Sequence, residues 1–195
     1  MLSYKESLKI LKETSALLEG HFILSSGLRS KQYIQCAKLL SYPKKAEAIC
    51  SSLSEAINNA FNKIDIVLSP AIGGIVVGYE IGKQLSVETI FAERCDGKLQ
   101  LRRGFEISKN SNVLIVEDVI TTGRSALECS KIVVECKSNL AGYACIIDRS
   151  KEDISIKNQI VSQMKFNIET FAEDKIPEDL KKISPIKPGS RNLSK

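Results

Sequence analysis

Two adjacent carboxylates, Glu117 and Asp118, are closely followed by Thr121-Thr122-Gly123-Arg124-Ser125, a run of small and hydroxyl-bearing residues. Backbone N–H groups and hydroxyls gathered in a turn are the groups that cradle a phosphate, and Gly123 lets such a turn adopt a positive φ. An acidic pair facing the same phosphate would repel it. The carboxylates must therefore face another part of the ligand, either sugar hydroxyls or a Mg²⁺ carried with it. A phosphorylated sugar satisfies both halves. Neither G-x-x-x-x-G-K-[ST] nor G-x-G-x-x-G occurs, so the common nucleotide-binding loops are excluded.

Positioning these groups requires a strand before them and a helix after them. Val113 to Val116 is an all-apolar run, as in a strand buried on both faces. A helical pattern opens at Ala126 and Leu127 and extends to about Lys137. Strand, turn and helix together aim N–H groups and the positive end of a helix dipole at an anion. The pattern occurs a second time. Ile64 to Ser69 reads as a buried strand, Pro70-Ala71-Ile72-Gly73-Gly74 as a turn, and a helix follows through Leu85. The amides of Ala71, Ile72 and Gly73 would suit another anion. Spacing alone fits a tight turn with glycines for packing equally well.

Val87 to Ala92 is a third core strand, and Leu140 to Ile147 is the last clear one. The latter ends in Asp148-Arg149, on the side where parallel sheets bind ligands. Arg149 has the geometry to take a carboxylate or an imide edge, or to form a surface ion pair with Asp148 or Glu152. Between these strands, residues 93–105 carry Arg94, Asp96, Gly97, Lys98, Arg102, Arg103 and Gly104. They read as a mobile, solvated cationic loop, a sensible lid over a polyphosphate. The plainer reading is a charged hairpin without chemistry.

Upstream, Ser3-x-x-Glu6 is a capping box, and Leu8, Leu11, Ser15 and Leu18 continue a helical stripe that Gly20 stops. Residues 21–40 read as a small hairpin-like unit with strands at 21–27 and 29–36. Ser41 is expected to cap the next helix, with Pro43 in its first turn and Ala46, Ile49, Cys50, Leu53, Ile57 and Ala60 on its apolar face. Residues 166–171 read as an edge strand or extended segment, 176–182 as a short helix, and 176–195 as an irregular tail. The alternation predicts a single α/β domain over 1–195, with a mostly parallel central sheet flanked by helices.

Composition narrows the function. The chain has 195 residues, 43% of them apolar, enough for one substantial core. No run of about 18 apolar residues occurs, so no membrane span is expected. The start, M-L-S-Y-K-E-S, does not read as a signal peptide, which points to the cytoplasm. The net charge of +5 equals the charge of Lys181, Lys182, Lys187, Arg191 and Lys195. Residues 1–179 are therefore neutral overall, and nucleic-acid binding is not expected. Six cysteines without a C-x-x-C, beside a single histidine, argue against a zinc site and a Ser/His/Asp hydrolase. They read as buried, reduced thiols.

V113-L-I-V-E-D-V-I-T-T-G123 resembles the phosphoribosyl pyrophosphate (PRPP) motif of type I phosphoribosyltransferases. F22-I-L-S-S-G-L-R-S-K-Q-Y33 is similar to the segment that forms a hood over the base in orotate phosphoribosyltransferases, and P70-A-I-G-G74 is similar to their pyrophosphate loop. The resemblance implies a type I phosphoribosyltransferase fold with a small hood at 1–40 and a lid at 93–105. It implies PRPP and orotate as substrates and Mg²⁺ as cofactor, bound mainly through PRPP. Lys98, Glu117 and Asp118 would be catalytic. PRPP would be held by Arg94, Lys98, Ala71, Ile72, Gly73 and the stretch Glu117, Asp118, Val119, Ile120, Thr121, Thr122, Gly123, Arg124 and Ser125. Orotate would be read by Thr121, Arg149, Phe22 and Ser25. The lid would act in trans within a homodimer. Three positions depart from the pattern: Ser25 and Cys95 stand where many members have lysine, and Gln100 where many have histidine. Phosphoribosyltransferases for purines or other bases, and non-catalytic PRPP-binding regulators, share the PRPP motif and stay open as alternatives. The first 20 residues offer one helix, too little for a helix-turn-helix.

Overall fold

A computed structural model describes residues 1–24, 26–151 and 154–188. In chain order its elements are α1 (Tyr4–Glu13), β1 (Leu17–Ile23), β2 (Arg29–Ile34), α2 (Cys36–Leu40), α3 (Pro43–Ala60), β3 (Ile66–Pro70), α4 (Gly73–Leu85), β4 (Glu88–Cys95) and β5 (Lys98–Leu101). They continue as β6 (Asn112–Ile120), α5 (Arg124–Glu135), β7 (Asn139–Asp148), β8 (Ile160–Lys165), β9 (Thr170–Phe171) and α6 (Glu178–Lys181).

The main sheet has the order β5-β4-β3-β6-β7-β8. All neighbours are parallel except β5, which runs antiparallel to β4. Its strands read as unbroken apolar runs because both faces are covered. Along β6, Leu114 and Val116 join the core beneath α3 and α4, whereas Val113 and Ile115 join the core beneath α5. The α3 face expected from the sequence is buried at Ala46, Ile49, Cys50, Leu53 and Ile57.

Several boundaries differ from the sequence reading. The Ser3–Glu6 capping box forms, but α1 ends at Glu13 and not at Gly20. Ser15 turns the chain with φ 54°, and Leu17 to Ile23 pair with β2. Long-range pairing overrides the helical stripe there. Ser41 does not cap α3. It closes α2, its Oγ donating to Lys38 O at 2.8 Å, and Tyr42 precedes Pro43 at the α3 start. Strand β6 runs on to Ile120, so Glu117 and Asp118 lie within the strand. The edge strand of the main sheet is β8 at 160–165, before the 166–171 stretch where one was expected.

Residues 93–105 contain a β-hairpin, as in the plainer of the two readings of this stretch, and not the mobile loop of the other. Asp96 and Gly97, with φ 49° and 81°, make the turn, and Cys95 pairs with Lys98. Two consecutive positive φ values match the right-handed twist of a hairpin.

The smaller sheet, β1-β2-β9, holds the stretch that the resemblance assigns to a hood. Its β2 edge takes Thr170 and Phe171. Its β1 edge takes Ile186, whose N–H donates to His21 O at 2.8 Å and whose carbonyl accepts from Ile23 N–H at 2.8 Å. His21 Nδ1 donates to Ile183 O at 2.9 Å, and Lys31 pairs with Asp179 at 2.7 Å. The segment after residue 176 is thus docked through Ile186, where an irregular tail was expected; residues 189–195 lie outside the described residues. Of the six cysteines, all free, Cys36, Cys50, Cys129 and Cys145 are buried as expected, while Cys95 and Cys136 are half-exposed.

Candidate active site

The strand order reverses direction between β3 and β6, since β3 leads outward to β4 and β6 outward to β7. A crevice opens at the carboxyl ends of two such strands, and ligands bind there. The two turns singled out in the sequence leave these two strands and start α4 and α5, so both helix N-termini face the crevice.

Strand alternation separates the two carboxylates. Asp118 lies against α4: its Oδ1 is 3.0 Å from where a Cβ on Gly73 would stand, and it accepts from Val119 N–H at 2.9 Å. Burial raises its pKa, opposed by the N–H groups of Val119 and of Asp118 itself. Glu117 lies on the opposite face, toward α5. Burial first, then the Asp118 charge, pushes its pKa up to about 7, against a hydrogen bond from Ser125. Val119 and Ile120 offer backbone only; Ile120 is fully buried, and its carbonyl accepts from Arg149 N–H at 2.8 Å.

Gly123 precedes α5 with φ 71°, and a Cβ there would meet Ile156 Cδ1 at 2.7 Å. Glycine is therefore required both for the turn and for the close approach of the chain after β7. Thr121 and Thr122 face the cleft, and Ser125 lies in the first turn of α5. The Arg124 side chain turns to Glu128 at 3.0 Å. At the other turn, Ala71 N–H is already committed to Ala92 O at 2.8 Å, so it is not a ligand amide as expected. No described backbone bond uses the N–H of Ile72 or Gly73.

The hairpin leans on α5. Arg94 Nη1 donates to Gly97 O at 2.6 Å and to Glu128 Oε2 at 2.9 Å. Lys98 is exposed at the start of β5.

A cleft of about 790 Å³ runs from Thr121 and Thr122 past Arg149 to Leu24, Ser26 and Leu28 between β1 and β2. Arg149 Nε is buried without a hydrogen-bond partner. Burial lowers the Arg149 pKa, and the neighbouring Tyr33 opposes that effect. Phe22 does not line the cleft. It is 3% exposed and packs on Tyr33 with ring centroids 5.8 Å apart. Ser25 lies outside the described residues. The sequence reading missed Tyr33, close enough to both Arg149 and Asp118 for their charges to act on it. It also missed the far wall, including Lys165, Asn167 and Thr170. No motif marks that wall. Its only signal was the edge-strand pattern at 166–171.

Residues 38–174 match the phosphoribosyl transferase domain family. The orotate phosphoribosyltransferase of Caldicellulosiruptor saccharolyticus is 45% identical over 186 residues, 95% of this chain and 96% of that protein. The chain belongs to the orotate phosphoribosyltransferase family. The orotate phosphoribosyltransferase of Methylorubrum extorquens is likewise 45% identical, covering 98% of each chain. The crystal structure of orotate phosphoribosyltransferase from Aeropyrum pernix superposes with a TM-score of 0.71 at 25% identity, covering 81% of this chain and 92% of that one. Adenine phosphoribosyltransferase from Saccharomyces cerevisiae shares the fold, with a TM-score of 0.65 at 17% identity over 80% of this chain and 99% of that one. The family's α/β architecture, with its mostly parallel sheet, is the one expected from the sequence.

Proposed function

We propose that the chain transfers the 5-phosphoribosyl group of PRPP to orotate, giving orotidine 5′-monophosphate and pyrophosphate. One observation carries the choice of base. Arg149 lines a cleft between the Thr121–Thr122 turn and the hood, and no carboxylate among the described residues pairs with it. A half-buried guanidinium without a counter-charge favours an anionic ligand, and orotate brings a carboxylate. The 45% identity to named orotate phosphoribosyltransferases supports the same base.

Each residue then has a task. The turn Thr121 to Ser125, at the α5 N-terminus, holds the 5′-phosphate, with Thr121 also bordering the base. The amides of Ile72 and Gly73 at the α4 N-terminus hold pyrophosphate. As N1 of orotate gives up its proton and bonds to ribose C1, the C1–oxygen bond to pyrophosphate breaks, so that the reaction releases pyrophosphate and one proton. Positive charge grows on the sugar and negative charge on the leaving group. Asp118 and Glu117 hold the ribose hydroxyls and stabilise the sugar cation from opposite faces of β6. Lys98 and Arg94 answer the leaving charge. Lys98 also gives a proton to the departing oxygen. The hairpin excludes water, which would otherwise attack the same carbon.

The acidic pair at the crevice suits a Mg²⁺ that arrives on PRPP, since this ion keeps waters and phosphate oxygens as ligands. When bound, it would neutralise charge on the pyrophosphate. A homodimer is part of the proposal. On α4, Val76 and Tyr79 are 51% and 67% exposed, and Ile72 beside them is 85% exposed, an apolar stripe that suits a second copy of the chain.

The test follows the orotate absorbance change with orotate, PRPP and Mg²⁺ present, omitting each in turn. Loss of orotate should require all three. PRPP-dependent conversion of a different base instead would discard the Arg149 assignment, and PRPP binding without turnover of any base would favour a regulator.

A further inference from the structure

The described residues lining the cleft include three cations, Arg149, Lys151 and Lys165, and no aspartate or glutamate. Arg149 and Lys165 form no ion pair among the described residues. Two of the three rise from adjoining strand ends. Lys165 ends β8 in register with Asp148, and Arg149 directly follows Asp148 on β7. Arg149 stands one residue beyond the position paired with Lys165, and both side chains line the cleft. Lys165 is also held firmly. Met164 before it is 2% exposed, Phe166 after it is 8% exposed, and Phe166 N–H donates to Asp148 O at 2.8 Å. Lys151 has no comparable anchor, since it lies outside any helix or strand.

Two like charges that line one cleft without a counter-charge favour an anion between them. The phosphate of the substrate is already provided for by the Thr121–Ser125 turn and the α5 N-terminus. The anion left for these cations is the carboxylate on the base. We propose that Lys165 is a specificity-determining residue that, together with Arg149, binds the carboxylate of an anionic pyrimidine. This rests on the base assignment above and deepens it. A neutral pyrimidine would leave both cations unanswered, so the pair discriminates by charge as well as by shape.

The test is steady-state kinetics of wild type, Lys165→Met and Lys165→Arg, varying orotate at saturating PRPP and PRPP at saturating orotate. Losing one charged contact should raise the orotate KM of Lys165→Met about tenfold to a hundredfold. Its PRPP KM and its kcat at saturating orotate should stay at wild-type values, and Lys165→Arg should restore most of the orotate KM. An unchanged orotate KM in Lys165→Met overturns the proposal. So does a parallel loss in both KM values and kcat that Lys165→Arg does not repair, because that pattern marks a structural role. A wild-type protein that does not turn over orotate fails the base assignment itself, visibly before any variant is made, and this proposal with it.

Discussion

The carboxylate of Asp118 occupies the space that a side chain on Gly73 would need, with Oδ1 3.0 Å and Oδ2 3.1 Å from the position of the missing Cβ. The first residue of α4 is therefore glycine for the sake of a residue forty-five positions later. Gly73→Ala should displace Asp118 by a few tenths of an ångström and lower kcat roughly tenfold to a hundredfold, the scale of a small misplacement at a reacting centre. Circular dichroism and thermal melting should show the fold intact, because the clash is with the end of one side chain.

Glu117 should impose a pH dependence with two readouts. Its pKa moves from 4.5 to about 7 on folding, so folding takes up a proton between those values. Its contribution to stability is present at low pH and is lost as pH rises through about 7. Melting temperatures of Glu117→Gln and wild type should diverge in favour of the variant from about pH 5 to 8. Activity runs the other way. The ionised carboxylate stabilises the sugar cation, so kcat/KM for PRPP should climb through about pH 7 in wild type and lose that limb in Glu117→Gln.

Glu128 holds two of the cations that the proposed function gives to phosphate, Arg94 at 2.9 Å and Arg124 at 3.0 Å. Its pKa is lowered by these two arginines, against the opposing effect of burial, which is the largest single influence on it. Freeing both arginines by Glu128→Gln should remove a competitor for the substrate. Exposed ion pairs of this kind contribute little, so the KM for PRPP should fall only about two- to fivefold, measured at low ionic strength. The difference should shrink as salt is added.

Lys98 stands on the hairpin, exposed and opposite Cys95. Lys98→Ala should cut kcat by roughly 10²–10³, the scale of losing one group that meets charge in the transition state. If the hairpin serves the neighbouring subunit, mixing Lys98→Ala with Asp118→Ala protein should regenerate one intact site per mixed dimer and recover activity. Absence of recovery would assign the hairpin to its own subunit.

The centre of the molecule was legible because its signals are local. The apolar run at Val113 to Val116, the acidic pair and the Thr-Thr-Gly turn each follow from neighbours in the sequence, and so does the α3 face from Ala46 to Ile57. The edges were less legible because distant partners decide them. Nothing near Leu17 announces its pairing with Ile34 in place of a helical turn. Nothing near Lys165 announces that it shares a cleft with Arg149. The separation of Glu117 from Asp118 onto opposite faces was implicit in strand alternation. It emerged only once β6 proved to run through both of them.

The sheet β1-β2-β9 is bordered on both edges by residues far along the chain: Thr170 and Phe171 beside β2, and Ile186 beside β1. The turn before α5 is complete earlier, once Ile156 has closed on Gly123. On the proposed function, a nascent chain would thus acquire a sugar-phosphate site before it acquired a pocket for the base. A chain cut between residues 165 and 170 would then grip PRPP and be unable to spend it.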